Sequence, residues 1–379
     1  MDLRKIPAPC FVLEEELLRR NLKLIDGVQK AADVTIILAF KGFAMWSAFP
    51  IIREYLSGAT ASSLNEARLC FEEMGTKAHT YAVAYLPREF GKILGYSSHI
   101  TFNSLAEYQR FRAKVAAHPG QVSPGMRVNP GWSPVGTALY NPASPGSRLG
   151  EPVENFKGRL PEGIEGLHFH TLCESSSYDL EKTLGYFEAQ FGAFLPQLKW
   201  VNFGGGHLMT RKDYNVDHLV RTLQAFKSRY PHLQVILEPG SAIAWETGVL
   251  VATVLDIVTN KQVNTAILDI SFTAHMPDTL EMPYRPLVRG ASVEPVPDQL
   301  QYRLGGVSCL SGDFLEAYSF EQPVKVGQKI IFEDQMHYTM VKTNTFNGVT
   351  HPSIAILRPD GRLDVVRRFG YRDYRNRLS

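Results

Sequence analysis

The sequence predicts an α/β protein of two domains, a (β/α)8 barrel joined to an all-β domain, and three observations support this. Eight short β-branched or apolar runs punctuate the first 240 residues. Most of them are followed by a stretch of helical periodicity, the alternation of a strand-helix repeat. After Gly240 the texture changes to apolar runs broken by Gly, Pro, Asn and Asp, without long helical stretches. A length of 379 residues suits two domains. The barrel is expected over residues 13–245, and a β-sandwich or β-barrel-like domain over residues 1–12 and 246–379.

The barrel strands are expected, in order, at Val34 to Phe40, Ser57 to Ser62, His79 to Ala84, His99 to Asn103, Pro124 to Pro130, Gly166 to His170, Trp200 to Gly204 and Gln234 to Pro239. Amphipathic helices are expected at Ala44 to Tyr55, Ser63 to Met74, Ser104 to Ala117, Tyr178 to Phe194 and Val216 to Arg229. In the second domain strands are expected at Leu250 to Val258, Thr265 to Ile270, Gln301 to Val307, Gln328 to Phe332, His337 to Lys342 and Ile354 to Leu357. The turn Arg358-Pro359-Asp360-Gly361-Arg362 then leads into Leu363 to Val366. The first residues, Ala8 to Leu13, read as a strand before a helix capped around Glu14 to Glu16, which makes the β domain discontinuous.

With 44% hydrophobic and 21% charged residues and a net charge of +2, the composition is that of a globular protein without an electrostatic partner such as nucleic acid. No window approaches the roughly 18 apolar residues of a membrane span, and Met1 to Pro7 lack the apolar core of a signal peptide, so a cytoplasmic protein is expected. Cys10, Cys70, Cys173 and Cys309 are scattered without CxxC spacing, which argues against a structural zinc site and a disulfide framework.

Barrel active sites gather at the carboxyl ends of the strands. Lys41 closes the first run, His170 the sixth, Gly204-Gly205-Gly206-His207 the seventh and Glu238-Pro239-Gly240 the eighth. An amine at the end of a buried strand has its pKa lowered by apolar walls and becomes usable for covalent chemistry. Consecutive glycines expose amides that cradle a phosphate. A lysine beside a phosphate cup is what pyridoxal 5'-phosphate requires, with Glu238 facing the pyridine nitrogen and His170 stacking on the ring. Taken singly, Lys41 also reads as a lysine snorkelling from a strand end, and the glycines as a tight turn. A rival reading takes His168 and His170 as metal ligands of a barrel hydrolase, but the further ligands should be His or Asp on later strands, and strand eight ends in Glu-Pro-Gly rather than in an aspartate and strand seven in glycines. No metal is expected, and His168 then reads as a packed core histidine.

These residues carry a resemblance. The chain resembles, over nearly its whole length, the fold-type III pyridoxal-phosphate decarboxylases, the group acting on ornithine, arginine and diaminopimelate, which pair an alanine racemase-like barrel with a β domain. The resemblance rests on Ala39-Phe40-Lys41-Gly42, Phe169-His170, Asn202-Phe203-Gly204-Gly205-Gly206, Glu238-Pro239-Gly240, Val307-Ser308-Cys309-Leu310-Ser311-Gly312-Asp313, and Tyr338-Thr339 followed by Thr345-Phe346-Asn347-Gly348. Three further strings are similar to the branch that acts on carboxynorspermidine and carboxyspermidine in polyamine biosynthesis. They are Gly166 to Glu174, Leu139 to Pro142 with Pro145 to Gly150, and His275 to Asp278 with Glu281-Met282-Pro283-Tyr284. Ser241 stands where the wider group has arginine, and Cys173 where it has serine.

The resemblance implies a carboxy-lyase that converts carboxynorspermidine or carboxyspermidine to norspermidine or spermidine, in a homodimer with active sites at the interface. It implies that Lys41 bonds the cofactor, that the phosphate leans on Gly204 to Gly206, Gly240, Ser241 and Tyr338, and that Cys309 donates a proton to Cα, with Lys41 as the alternative donor. Asp278, Glu281 and Asp313 are expected to meet substrate amines, and Arg148 the α-carboxylate. Glu66 and Arg127 are expected to order the cofactor pocket. Diaminopimelate decarboxylase, an alanine-type racemase and a non-catalytic pyridoxal-phosphate carrier are the other readings. The two carboxylated triamines differ by one methylene, and the sequence does not choose between them.

Overall fold

The computed structural model describes residues 3–118, 120–281 and 283–379. Met282 of the Glu281 to Tyr284 string, and the first two residues of the 1–12 segment, lie outside them. The chain divides into two compact units, Asn21–Ile243 and Met1–Arg20 with Ala244–Ser379. The sequence places these divides at 12/13 and 245/246. Glu15 and Arg19 go with the β unit because Arg358 Nη1 reaches Glu15 Oε2 at 2.9 Å while Arg19 holds the other oxygen at 2.8 Å.

In the barrel unit a parallel sheet runs Ala59–Ala61, Ala78–Tyr81, Ser97–Phe102, Ser123–Arg127, Gly166–His168, Trp200–Asn202 and Gln234–Leu237, all in chain order. The first strand is in two pieces: Thr35–Ile36 pairs with Gln234–Leu237 and Leu38–Ala39 pairs with Ala59–Ala61, which closes the sheet. Helices pack outside. Val216–Arg229 falls where the periodicity places it, and Ser177–Phe191 starts in a capping box between Ser176 and Asp179. The expected helix Ala44 to Tyr55 is shorter, a 3-10 turn at Trp46–Ala48 and the helix Phe49–Ile52. One helix, Phe90–Tyr96, was not expected; Phe90 stacks on Phe111 with centroids 4.1 Å apart.

Strands alternate, so every second residue faces the lumen. Gly125, Gly166 and Trp200 are register neighbours, and a Cβ on Gly166 would come within 2.0 Å of the indole. The two glycines thus make the space that Trp200 fills. One layer higher, Arg127, His168 and Asn202 are register neighbours, which puts a polar row across the upper lumen.

The β unit holds a nine-stranded mixed sheet. Cys10–Glu14 runs antiparallel to Gly248–Asn260 and parallel to Ser353–Leu357, which ties the start of the chain to its end. Ala291–Ser292 and Phe314–Phe320 are strands that the sequence reading passed over, as is the helix Tyr371–Leu378. The strand expected at His337 to Lys342 is corrected: Tyr338 has φ +52°, which breaks an extended chain, and a 3-10 turn follows at Met340–Lys342. Among the described residues no helix is long and apolar enough to cross a membrane.

Candidate active site at the barrel rim

Lys41 follows the strand piece Leu38–Ala39, and its Nζ lies 2.8 Å from His170 Nε2. The Gly205 amide donates to His170 Nδ1 at 2.9 Å. A neutral imidazole whose Nδ1 accepts carries its proton on Nε2, so His170 meets Lys41 as a donor and the lysine accepts as a free amine. The charges agree. Lys41 is accessible at the rim, yet protein atoms crowd its ammonium, and that loss of solvent holds its pKa below the ordinary lysine value; Glu238 opposes the shift and Arg127 adds to it. Burial, the largest cause, holds His170 well below the usual histidine value, and the Arg127 charge adds to it. Arg127, buried itself, donates to the His170 carbonyl at 3.1 Å and lies over the Tyr81 ring at 4.7 Å.

Glu238 is buried, with one oxygen 3.1 Å from His168 Nε2 and the other accepting from Asn202 Nδ2 at 3.1 Å. Burial alone would raise its pKa. His168, Lys41 and Asn202 outweigh burial and lower it to about 2, so the carboxylate is ionised at neutral pH. Asn202 Oδ1 in turn accepts the Gly204 amide at 2.8 Å.

The glycine loop is therefore a hub. The expectation that Gly204, Gly205 and Gly206 all offer amides to a phosphate is corrected, because Gly204 donates to Asn202 and Gly205 to His170. Their missing side chains serve packing: a Cβ on Gly204 would lie 2.5 Å from the Phe169 carbonyl and one on Gly205 2.6 Å from that of Glu238. The amides of Gly206, Gly240 and Ser241 find no acceptor among the described residues and remain for an anion. Gly240 and Gly42 also approach each other, a Cβ on Gly42 meeting Gly240 Cα at 2.8 Å, which sets the residue after Lys41 against the Glu-Pro-Gly turn. An amine beside a fixed histidine, a buried ionised carboxylate and three free amides fit pyridoxal 5'-phosphate.

Cys173 is exposed at the same rim, and burial of its surroundings raises its thiol pKa. Glu66 accepts the Ser62 amide at 2.6 Å, and burial raises its pKa against a lowering by Lys41. Arg148 is exposed in the loop after Ser123–Arg127, its carbonyl accepting from Asn103. His168 and His170 diverge in partners, the first on Glu238 and the second on Lys41, and among the described residues no His, Cys, Asp and Glu groups are arranged to hold a metal. Sequence reasoning passed over Asn202 as a link and His168 as a partner of Glu238; only the register of the strands reveals either.

The remaining expected residues belong to the β unit. Cys309 is exposed in the turn after Leu300–Gly305, its amide donating to Asn347 Oδ1 at 2.8 Å. Asp313, expected on a substrate amine, is corrected: it is 4% exposed and both oxygens are taken, by the amides of Phe272 (2.6 Å) and Thr273 and by the amide and hydroxyl of Ser308. It fastens the Cys309 turn to the helix Phe272–His275. Asp278 and Glu281 share Lys342, which ion-pairs with both and lies 2.6 Å from Glu281. Tyr338 is half-buried at the irregular turn described above.

The family described as pyridoxal-dependent decarboxylase, C-terminal sheet domain, matches residues 11–335. A carboxyaminopropylagmatine decarboxylase of Synechocystis sp. is 54% identical over 377 residues, covering 100% of this chain and 97% of that one. A carboxynorspermidine/carboxyspermidine decarboxylase of Campylobacter jejuni is 43% identical over 384 residues, 99% of each. The crystal structure of carboxynorspermidine decarboxylase with norspermidine from Campylobacter jejuni superposes with a TM-score of 0.90 at 41% identity, covering 98% of this chain and 100% of that one. With this ancestry and this rim, the chain belongs to the pyridoxal-dependent decarboxylases of the ornithine, diaminopimelate and arginine group, and is a carboxy-lyase that uses pyridoxal 5'-phosphate.

Proposed function

We propose that this enzyme decarboxylates a polyamine that ends in a carboxyaminopropyl head, leaving an aminopropyl group. Carboxynorspermidine and carboxyspermidine are the substrates of the first reading, supported by the Campylobacter jejuni relative and by the strings that resemble that branch. The 54% identity to the Synechocystis enzyme favours a second, carboxyaminopropylagmatine. The candidates share the reacting head and differ at the far end, an ammonium in one class and a guanidinium in the other.

The observation that carries the reading is the Lys41–His170–Gly205 line set against an ionised Glu238. When bound, the cofactor supplies a ring that accepts the electron pair released with CO2. Lys41, held as a free amine, is the group that bonds the cofactor. Glu238 keeps the ring nitrogen protonated, and the amides of Gly206, Gly240 and Ser241 hold the phosphate. Cys309, delivered by the second subunit of a homodimer, gives a proton to Cα. Asp278 and Glu281 exchange Lys342 for a substrate cation, and Arg148 turns to the α-carboxylate. A small cationic substrate, no nucleic acid and a cytoplasmic location complete the reading.

The test is CO2 release from carboxynorspermidine, carboxyspermidine and carboxyaminopropylagmatine, with Lys41→Ala as control. Release from at least one, lost in the variant together with the visible absorbance of the bound cofactor, is expected. The ratio of kcat/KM values assigns the far end. Release from diaminopimelate alone refutes the proposal.

A further inference from the structure

We propose that His168 is a positioning residue for Glu238, and that it works with a single water enclosed in the barrel core. The inference rests on the reading that Glu238 faces the cofactor's ring nitrogen, and extends it to the layer beneath.

The carboxylate is approached from two sides, by Asn202 Nδ2 on one oxygen and by His168 Nε2 at 3.1 Å on the other. Asn202 is locked, since its own oxygen accepts the Gly204 amide. His168 has no such lock. It is 2% exposed, its Nε2 lies near Glu238 without hydrogen-bond alignment, and its Nδ1 has no protein partner. Its environment is protein on every side: Tyr81 meets the ring edge-on at 5.5 Å, and His79 from Ala78–Tyr81 and His99 and Thr101 from Ser97–Phe102 line the same cavity.

A cavity of about 10 Å³ lies there, lined by Thr60, His79, Thr101, His168, Asn202 and Glu238 among others. That is close to the space one water needs, and a polar lining supplies the two to four partners that retain it. A water that donates to His168 Nδ1 leaves the imidazole proton on Nε2, which is the proton Glu238 requires. Histidines often have their tautomer fixed in this way by the bond made at the other nitrogen. The neighbours do not compete as cations, since burial lowers His79 to about 3 and His99 to about 4, and holds His168 below its usual value. His168 thus orients the carboxylate as a neutral donor and leaves its negative charge for the ring.

The full-length enzyme loaded with pyridoxal 5'-phosphate is compared with His168→Leu, His168→Gln and Glu238→Gln. For His168→Leu, kcat is expected to fall about tenfold or more, with KM within about twofold and a changed pH dependence of the cofactor's visible spectrum. His168→Gln, which keeps a donor, recovers much of the rate. If His168→Leu matches the parent in kcat and spectrum while Glu238→Gln is impaired, the proposal is overturned. If Glu238→Gln is also unimpaired, the reading of Glu238 falls and the proposal with it. A crystal structure of the unaltered holoenzyme tests the same point where a variant does not fold. A water bonded to His168 Nδ1, with Nε2 on the carboxylate, is expected; a dry cavity with His168 turned from Glu238 overturns the proposal.

Discussion

Replacing Glu238 by Gln removes a charge from the barrel core at nearly constant volume, and the structure sets the size of the effect. With His168 and Lys41 charged, the folded protein lowers this carboxyl from 4.5 to about 2, so about 3 kcal/mol at pH 7 is the most by which the fold prefers the ionised form, and neutral partners leave only their hydrogen bonds and that of Asn202. A depressed carboxylate stabilises fully above its unfolded pKa and loses that contribution as pH falls through its folded pKa. The gap between the parent and Glu238→Gln is therefore expected to be constant from pH 8 to about pH 5.5. It is expected to be about 1 kcal/mol smaller by pH 4, where the unfolded carboxyl is already protonated. At roughly 2–4 °C per kcal/mol for a unit of this size, the variant's thermal midpoint at pH 7 falls by up to about 6–12 °C. The amide retains some hydrogen bonding, so these are upper values. The assay is thermal denaturation of both cofactor-free proteins across that pH range. A gap below about 1 kcal/mol at pH 7, or one that widens on acidification, refutes the account of Glu238 as a charge stabilised by His168, Lys41 and Asn202.

Four other substitutions separate packing from chemistry. Gly206→Ala places a Cβ 2.2 Å from the Leu172 carbonyl at φ +87°, so a loss of about 1–3 kcal/mol or more is expected in urea unfolding; Gly312→Ala, which meets nothing within 4 Å, stays within about 0.5 kcal/mol. Asp313→Ala strips the acceptor from the Phe272, Thr273 and Ser308 amides. It is expected to cost on the order of 3 kcal/mol, with faster hydrogen exchange at Ser308 and Cys309. Cys309→Ala, at an exposed turn, is expected to leave the thermal midpoint unchanged and lower kcat more than KM, and an unchanged kcat would remove the thiol from the proton-transfer step.

The rim was legible in the sequence because strand ends announce themselves. Lys41, His170, the three glycines and Glu238 each stop an apolar run, and a parallel barrel brings all such ends to one side. The glycine loop illustrates the limit of that reasoning. Composition shows that glycines are needed there, but whether their amides face a ligand depends on what lies across the register. Asn202 and His170 take two of them. Strand boundaries in the β unit were harder, since Phe314–Phe320 and the turn at Tyr338 differ in backbone angle more than in residue type.

The lumen was hidden for a deeper reason. Period-two alternation sorts residues into two faces without saying which is the lumen, and a barrel core is ordinarily filled by branched apolar side chains. Here Trp200 occupies the space left by Gly125 and Gly166, and above it the strands place Arg127, His168 and Asn202 side by side. Such a polar layer is tolerable only if its members satisfy one another. Glu238 supplies the negative charge, Asn202 connects it to the Gly204 amide, and Gly205 connects the same loop through His170 to Lys41. The glycine loop is thus mechanically linked to both Lys41 and Glu238. A disturbance at Gly204 or Gly205 is transmitted to both, whereas one at Gly206, whose amide has no acceptor among the described residues, bears through its carbonyl on the Ser175 amide.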